Sequence, residues 1–174
     1  MTDDRKQLLK GVRRVVVKVG TYLLIGEKSP LDAATIRKIA DEISQLKRRA
    51  KEVVLVSSGA IGAGVLELGL KRRPQNLPGL QAAAAVGQAK LMYIYQDCFQ
   101  ENGLKVGQIL LTREDLHQRI RHLNVRYTIL KLLQDGIVPV INENDSVSVD
   151  EIKFGDNDFL AALVANLIHA ELLI

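Results

Sequence analysis

The sequence predicts an α/β fold built on a mainly parallel sheet. Its strands are short apolar runs with little polar alternation: Val12–Val19, Val53–Val56, Val106–Leu111 and Ile137–Ile141. Such runs suit strands that are covered on both faces. The segments between them carry apolar residues at helical spacing, the strand–helix alternation that goes with parallel pairing. The chain has 174 residues, 47% hydrophobic and 25% charged, enough for one domain with a real core.

Residues 1–12 are a polar tail with no apolar stretch of the kind a signal peptide carries. The first strand follows, interrupted near its end by Lys18 and closed by Gly20. After Pro30, Ile36, Ile39, Ile43 and Leu46 recur at helical spacing, with Asp32 placed to cap the helix. The Val53–Val56 strand runs into Ser57–Gly64, a small-residue turn leading into a helix. Asn76–Gly79 is expected to be a loop. Leu80–Phe99 is expected to be a helix, apolar almost all round and bearing alanine from Ala82 to Ala85. Alanines permit close approach of another backbone, so a subunit contact and a homo-oligomer are expected here. Thr112–Arg126 is expected to be a polar loop and helix start. Tyr127, Leu130 and Leu133 then carry a helix to Gly136, a suitable C-terminal glycine. Asp158–Ile168 is expected to be helical, and Glu171–Ile174 to begin a fifth strand. An apolar strand normally feeds a further element, so the chain reads as the first part of a larger domain.

Composition excludes several function classes. The formal charge is +4, from 24 basic and 20 acidic residues. The only dense basic runs, Lys47-Arg48-Arg49 and Lys71-Arg72-Arg73, lack interleaved aromatics and read as solvated helix ends, not a nucleic-acid surface. The single cysteine, Cys98, allows no internal disulfide and sits in an apolar segment, as a core residue would. His117, His122 and His169 have no metal-ligand spacing. No apolar run is long enough to span a bilayer, and a cytoplasmic location is the default expectation.

Three stretches could carry chemistry. Lys18, at the C-terminal end of a central strand and followed by Gly20-Thr21, offers an ammonium beside exposed amides. That suits a phosphate, although a strand-end lysine also snorkels to water. Ser57–Gly64 has glycines that let a ligand approach backbone at a helix start. It matches neither the P-loop nor the dinucleotide fingerprint, and close packing of the helix on the sheet is the alternative. The third is Asn142-Glu143-Asn144-Asp145 with Gly155-Asp156-Asn157-Asp158. Carboxylates here could hold an ammonium, bind a metal or act as base; capping, notably by Asp156, accounts for some of these residues and not all. A cation, an amide-rich loop and an acidic loop at one sheet edge describe a kinase for an amino-acid-like substrate.

Six runs make the sequence similar to a known family: Val15–Thr21, Val56–Ile61, Ala84–Gln88, Gly107–Thr112, Pro139–Asp145 and Gly155–Asp158. Together they resemble the amino acid kinase family, and within it the glutamate 5-kinases. The likeness runs from about Arg13 to the last residue. It implies a three-layer αβα sandwich, in which residues 13–174 form the glutamate-binding lobe. It further implies transfer of phosphoryl from ATP, with Mg²⁺ carried largely on the nucleotide, to the side-chain carboxylate of L-glutamate. That is the first step of proline synthesis, with proline as feedback inhibitor. On this resemblance Lys18, with Gly20 and Thr21, contacts the ATP phosphates, and Asp158 orients Lys18. Ser58, Gly59 and Ala60 hold glutamate. Asp145 and Asn157 bind it too, Asp145 at its ammonium, while Asn142 supports the loop. The family's Gly-rich nucleotide segment, its second phosphate lysine and the PUA domain of some members are not matched. The chain by itself is therefore expected to bind ATP poorly and turn over little. An acetylglutamate or aspartate kinase is the alternative enzyme, and a non-catalytic lobe that senses glutamate or proline is the alternative of another class.

Overall fold

A computed structural model describes residues 9–24, 31–148 and 157–174. The strands are β1 (Arg14–Val19), β2 (Glu52–Ser57), β3 (Val106–Leu111), β4 (Val138–Glu143) and β5 (Leu172–Leu173). All are parallel, in the order β3-β4-β2-β1-β5. The helices are α1 (Thr21–Leu24), α2 (Ala33–Arg48), α3 (Ala60–Glu67), α4 (Leu77–Gln100), α5 (Arg113–His117), α6 (Arg119–Gln134) and α7 (Asn157–Leu167).

The sheet splits the core in two. Val53 and Leu55 of β2 pack with Ile36, Ile43, Leu91 and Phe99 of α2 and α4. Val54 and Val56, one residue out of phase, pack with Ile129, Leu133, Leu160 and Val164 of α6 and α7. Alternate side chains of one strand thus feed both faces, which is why β2 is apolar without alternation. Helices on both faces make the expected three-layer αβα sandwich. β5 is shorter than the expected Glu171–Ile174, yet the ladder continues at both ends. Glu171 N donates to Arg14 O (3.1 Å), and Lys18 N to Ile174 O (2.8 Å). The Glu171 carboxylate also accepts from Arg14 N (2.7 Å) and Arg13 N (3.2 Å), and these bonds, first that to Arg14, hold it below the usual carboxylate range.

Asp32 caps α2 as expected, its Oδ1 accepting from Ala34 N (3.0 Å) and Thr35 N (3.2 Å). α4 departs from expectation by starting at Leu77, so Leu77–Gly79 are helix and not loop. The Asn76 side chain caps it by accepting from Gly79 N (2.9 Å). Pro78 is tolerated because first-turn amides have no intrahelical partner to lose. Thr112–Arg126 becomes two helices, the first held by Asp115 Oδ2, which accepts from Thr112 N (2.8 Å) and Oγ1 (2.7 Å). The four-residue α1 went unforeseen, since one turn carries no periodicity.

The alanines of α4 are used within the chain. Ala83 and Ala84 are buried, and a Cβ built on Gly64 of α3 would run into the Ala83 carbonyl group. The stripe that suggested a subunit contact is thus largely the bed on which α3 lies, leaving Ala82 and Ala85 exposed. Cys98 is buried, as expected. Tyr95 is buried too, its hydroxyl 2.8 Å from Ser57 Oγ at the end of β2, and burial raises its phenol well above the usual range. Tyr95→Phe is expected to lower stability by about 1 kcal/mol, the net worth of one buried hydrogen bond. Urea unfolding checks this, and an unchanged midpoint would mean that the bond contributes nothing net.

Candidate active site

Parallel register brings the separated motifs to one edge. Lys18 pairs with Val56 and Val19 with Ser57 across β1 and β2, while Val56 pairs with Ile141 across β2 and β4. The residues just beyond are therefore Gly20, Ser58 and Asn142, all at the carboxyl ends where open parallel sheets bind ligands. Gly59 turns the chain from β2 into α3 in the left-handed region, φ 94°, a conformation that glycine adopts without strain.

A cleft of about 220 Å³ opens at this edge. It is smaller than the roughly 300–1,000 Å³ of sites for drug-sized ligands, which suits a small metabolite. Every substrate-binding residue named from sequence lines it: Ser58, Gly59, Ala60, Asn142, Asp145 and Asn157. Thr21 and Glu143 line it as well. Lys18 and Asp158 do not line the cleft but meet each other in an ion pair, the lysine half-buried and the aspartate largely exposed. The Lys18 ammonium lies over Gly20, 3.6 Å from where a Cβ there would stand. Gly155 and Asp156, including the expected cap at Asp156, lie outside the described residues.

The cleft floor is an amide network in which Asn157 Oδ1 alone is buried without a hydrogen-bond partner among the described residues. Asn157 Nδ2 donates toward Ser57 O (2.8 Å), Ser58 Oγ (2.8 Å) and Asn142 Oδ1 (3.0 Å). Asn142 is buried; its Oδ1 also accepts from Glu143 N (2.9 Å), and its Nδ2 donates to Gln88 Oε1 (2.9 Å). The first residue of α7 is thereby tied to the ends of β2 and β4. Asn144 shapes the turn after β4, its Oδ1 accepting from Ser146 Oγ (2.6 Å).

The three glycines of the small-residue turn divide their work. Gly59 makes the turn, Gly62 lines the cleft, and Gly64 admits α4 at close range. The close-packing reading of that stretch therefore holds at Gly64, while Gly59 and Gly62 are left facing the cleft.

Two site residues escaped the sequence reading. Gln88 is buried on α4 and holds Asn142. The available signal was a pair of amides, Gln81 and Gln88, seven residues apart on one face of an otherwise mostly small and apolar helix start. Arg73 was read as part of a solvated helix end. It stands instead in the loop between α3 and α4 and lines the cleft, and its one local mark in the sequence is the proline that follows it.

Comparison with known proteins gives the lineage. The amino acid kinase family profile matches residues 13–174. The chain belongs to that family. Proteins named glutamate 5-kinase are among its curated relatives. That of Pelobacter propionicus is 52% identical over 170 residues, 98% of this chain and 46% of the relative. That of Nitrosomonas eutropha is 57% identical, covering 97% of this chain and 45% of the relative. That of Syntrophus aciditrophicus is 49% identical, over 100% and 45%. This amino acid kinase chain thus spans just under half the length of these relatives. Among its described residues no helix is long and apolar enough to cross a membrane.

Proposed function

We propose that this chain is the amino-acid-binding part of a glutamate 5-kinase. The observation that carries the reading is the Lys18–Asp158 ion pair standing beside a small polar cleft that contains Asp145, Asn157 and the Ser58–Ala60 turn. The reaction is attack of a side-chain carboxylate oxygen of L-glutamate on the γ-phosphorus of ATP. The bond to the bridging oxygen breaks and ADP leaves, giving glutamyl 5-phosphate. Such a transfer needs mainly positioning and neutralisation of charge.

Lys18 neutralises phosphate oxygens near Gly20 and Thr21, and Asp158 fixes the lysine through their ion pair. The Asp145 carboxylate takes the α-ammonium. Ser58 and the Gly59 and Ala60 amides hold the acceptor, while Asn142 and Asn157 keep loop and helix in register. Mg²⁺ is assigned to the nucleotide phosphates, where it would supply charge neutralisation. Proline inhibition, self-association and a cytoplasmic setting belong to the same proposal.

Asp145 separates this reading from an acetylglutamate kinase, because an acetylated amine offers no cation for it. L-Glutamate is expected to bind at least about tenfold more tightly than N-acetyl-L-glutamate in a calorimetric titration. Asp145→Ala is expected to weaken glutamate by about 2–4 kcal/mol, the cost of stripping one partner from a buried charged pair. Equal binding of the two ligands would overturn the assignment.

A further inference from the structure

We propose that Arg73 is the specificity residue that receives the α-carboxylate of the amino acid, an inference that rests on the glutamate reading above. L-Glutamate carries three charged groups. Its side-chain carboxylate must lie toward Lys18, and its ammonium is assigned to Asp145. The α-carboxylate remains. It must settle in a cleft whose other charged lining residues, Glu143 and Asp145, are both acids. An anion beside two anions needs a cation, and Arg73 is the one cation among the described lining residues.

The residue is suited to this by type and by placement. A guanidinium presents a planar pair of donors that matches a carboxylate in two parallel hydrogen bonds, which an ammonium cannot do. Its backbone is also constrained. Pro74 follows it, and a Cβ on Gly79 in the first turn of α4 would stand only 2.8 Å from Pro74 Cβ. The loop is therefore seated on the helix start, and Arg73 projects from an anchored base.

The test compares L-glutamate with γ-aminobutyrate, which is glutamate without its α-carboxylate, by ligand-observed NMR titration of this chain. Arg73→Ala is expected to weaken L-glutamate at least about tenfold, the loss of one charge-assisted bidentate contact, and to leave γ-aminobutyrate within about twofold. Arg73→Lys is expected to fall between, keeping the charge and losing the fork. Unchanged L-glutamate binding in Arg73→Ala, or equal losses for both ligands, would overturn the assignment while leaving the glutamate reading intact. A wild-type chain that binds no L-glutamate would overturn both together.

Discussion

Gly87→Ala is expected to be among the most damaging single-methyl changes in this protein. A Cβ at Gly87 would run into the Ala60 carbonyl oxygen and the Gly64 amide, and would stand 2.9 Å from the Ala60 carbonyl carbon. All three atoms are backbone, so no side chain can swing away. Gly64 makes the reciprocal approach, with a Cβ that would meet the Ala83 carbonyl. α3 and α4 therefore cross at glycine distance at two points, and a methyl at either must push the helices apart. Overpacking a core costs about 1–3 kcal/mol where neighbours can yield, and a backbone-on-backbone collision belongs at or above about 3 kcal/mol. Domains of this kind hold only about 5–15 kcal/mol in total. The second expected effect is functional. Ala60 opens α3 and lines the cleft, so displacing it moves the Ser58–Ala60 turn away from the ligand. The control is Gly136→Ala, where φ is +77° but nothing lies within 4 Å of the added Cβ. That change is expected to cost only about 1–2 kcal/mol of left-handed strain and to leave binding alone. Urea unfolding and glutamate titration of the two variants decide the matter. Equal midpoints would mean that the close helix crossing does not constrain the fold.

The same glycines show where sequence is informative and where it stops. The strands were legible because a doubly covered strand must be apolar at every position, as Val53–Val56 is, and that signal is local. The start of α2 was legible because Asp32 satisfies amides two and three residues away. The gathering of Lys18, Ser58, Asn142 and Asn157 at one edge was legible once the strands were taken as parallel, since a parallel sheet puts all carboxyl ends together. Other features depend on distances that sequence does not encode. Gly64 and Gly59 look alike in the chain, yet one meets Ala83 on another helix and the other makes a turn. Gln88 lies 54 positions from Asn142, its partner. Arg73 differs from Arg72 locally only in preceding Pro74, which does not say that the loop turns it to the cleft. The alanine row of α4 suggests a contact with another backbone, but nothing in the row says that α3 of the same chain takes up Ala83 and Ala84.

Asn157→Asp is expected to lower both stability and amino-acid affinity, with a pH dependence that identifies the cause. Asn157 Nδ2 has two hydrogens and lies 2.8, 2.8 and 3.0 Å from Ser57 O, Ser58 Oγ and Asn142 Oδ1. The Ser57 carbonyl can only accept, which fixes the nitrogen on that side of the amide. The aspartate has the same shape, so the change opens no cavity. It replaces a double donor by a charged acceptor facing two further acceptors, and only the Ser58 hydroxyl can turn to donate to it. Leaving such a group unsatisfied costs about 1–3 kcal/mol for a neutral pair and more for a charge, so about 2–4 kcal/mol is expected at pH 7. Because Asn157 lines the cleft and holds Ser58 Oγ and Asn142 Oδ1, glutamate binding is expected to weaken as well, by at least about tenfold, or roughly 1.4 kcal/mol. The surroundings disfavour the ionised form, so the introduced carboxyl has a folded pKa raised above its unfolded value near 3.9. The deficit relative to wild type is then largest above the raised pKa and shrinks as the pH falls through it, because a protonated carboxyl can again donate one hydrogen bond. Unfolding midpoints of both proteins at pH 7 and pH 5 test this. A deficit that stays constant or grows on acidification would mean that the amide of Asn157 is not the donor joining the two halves of the site.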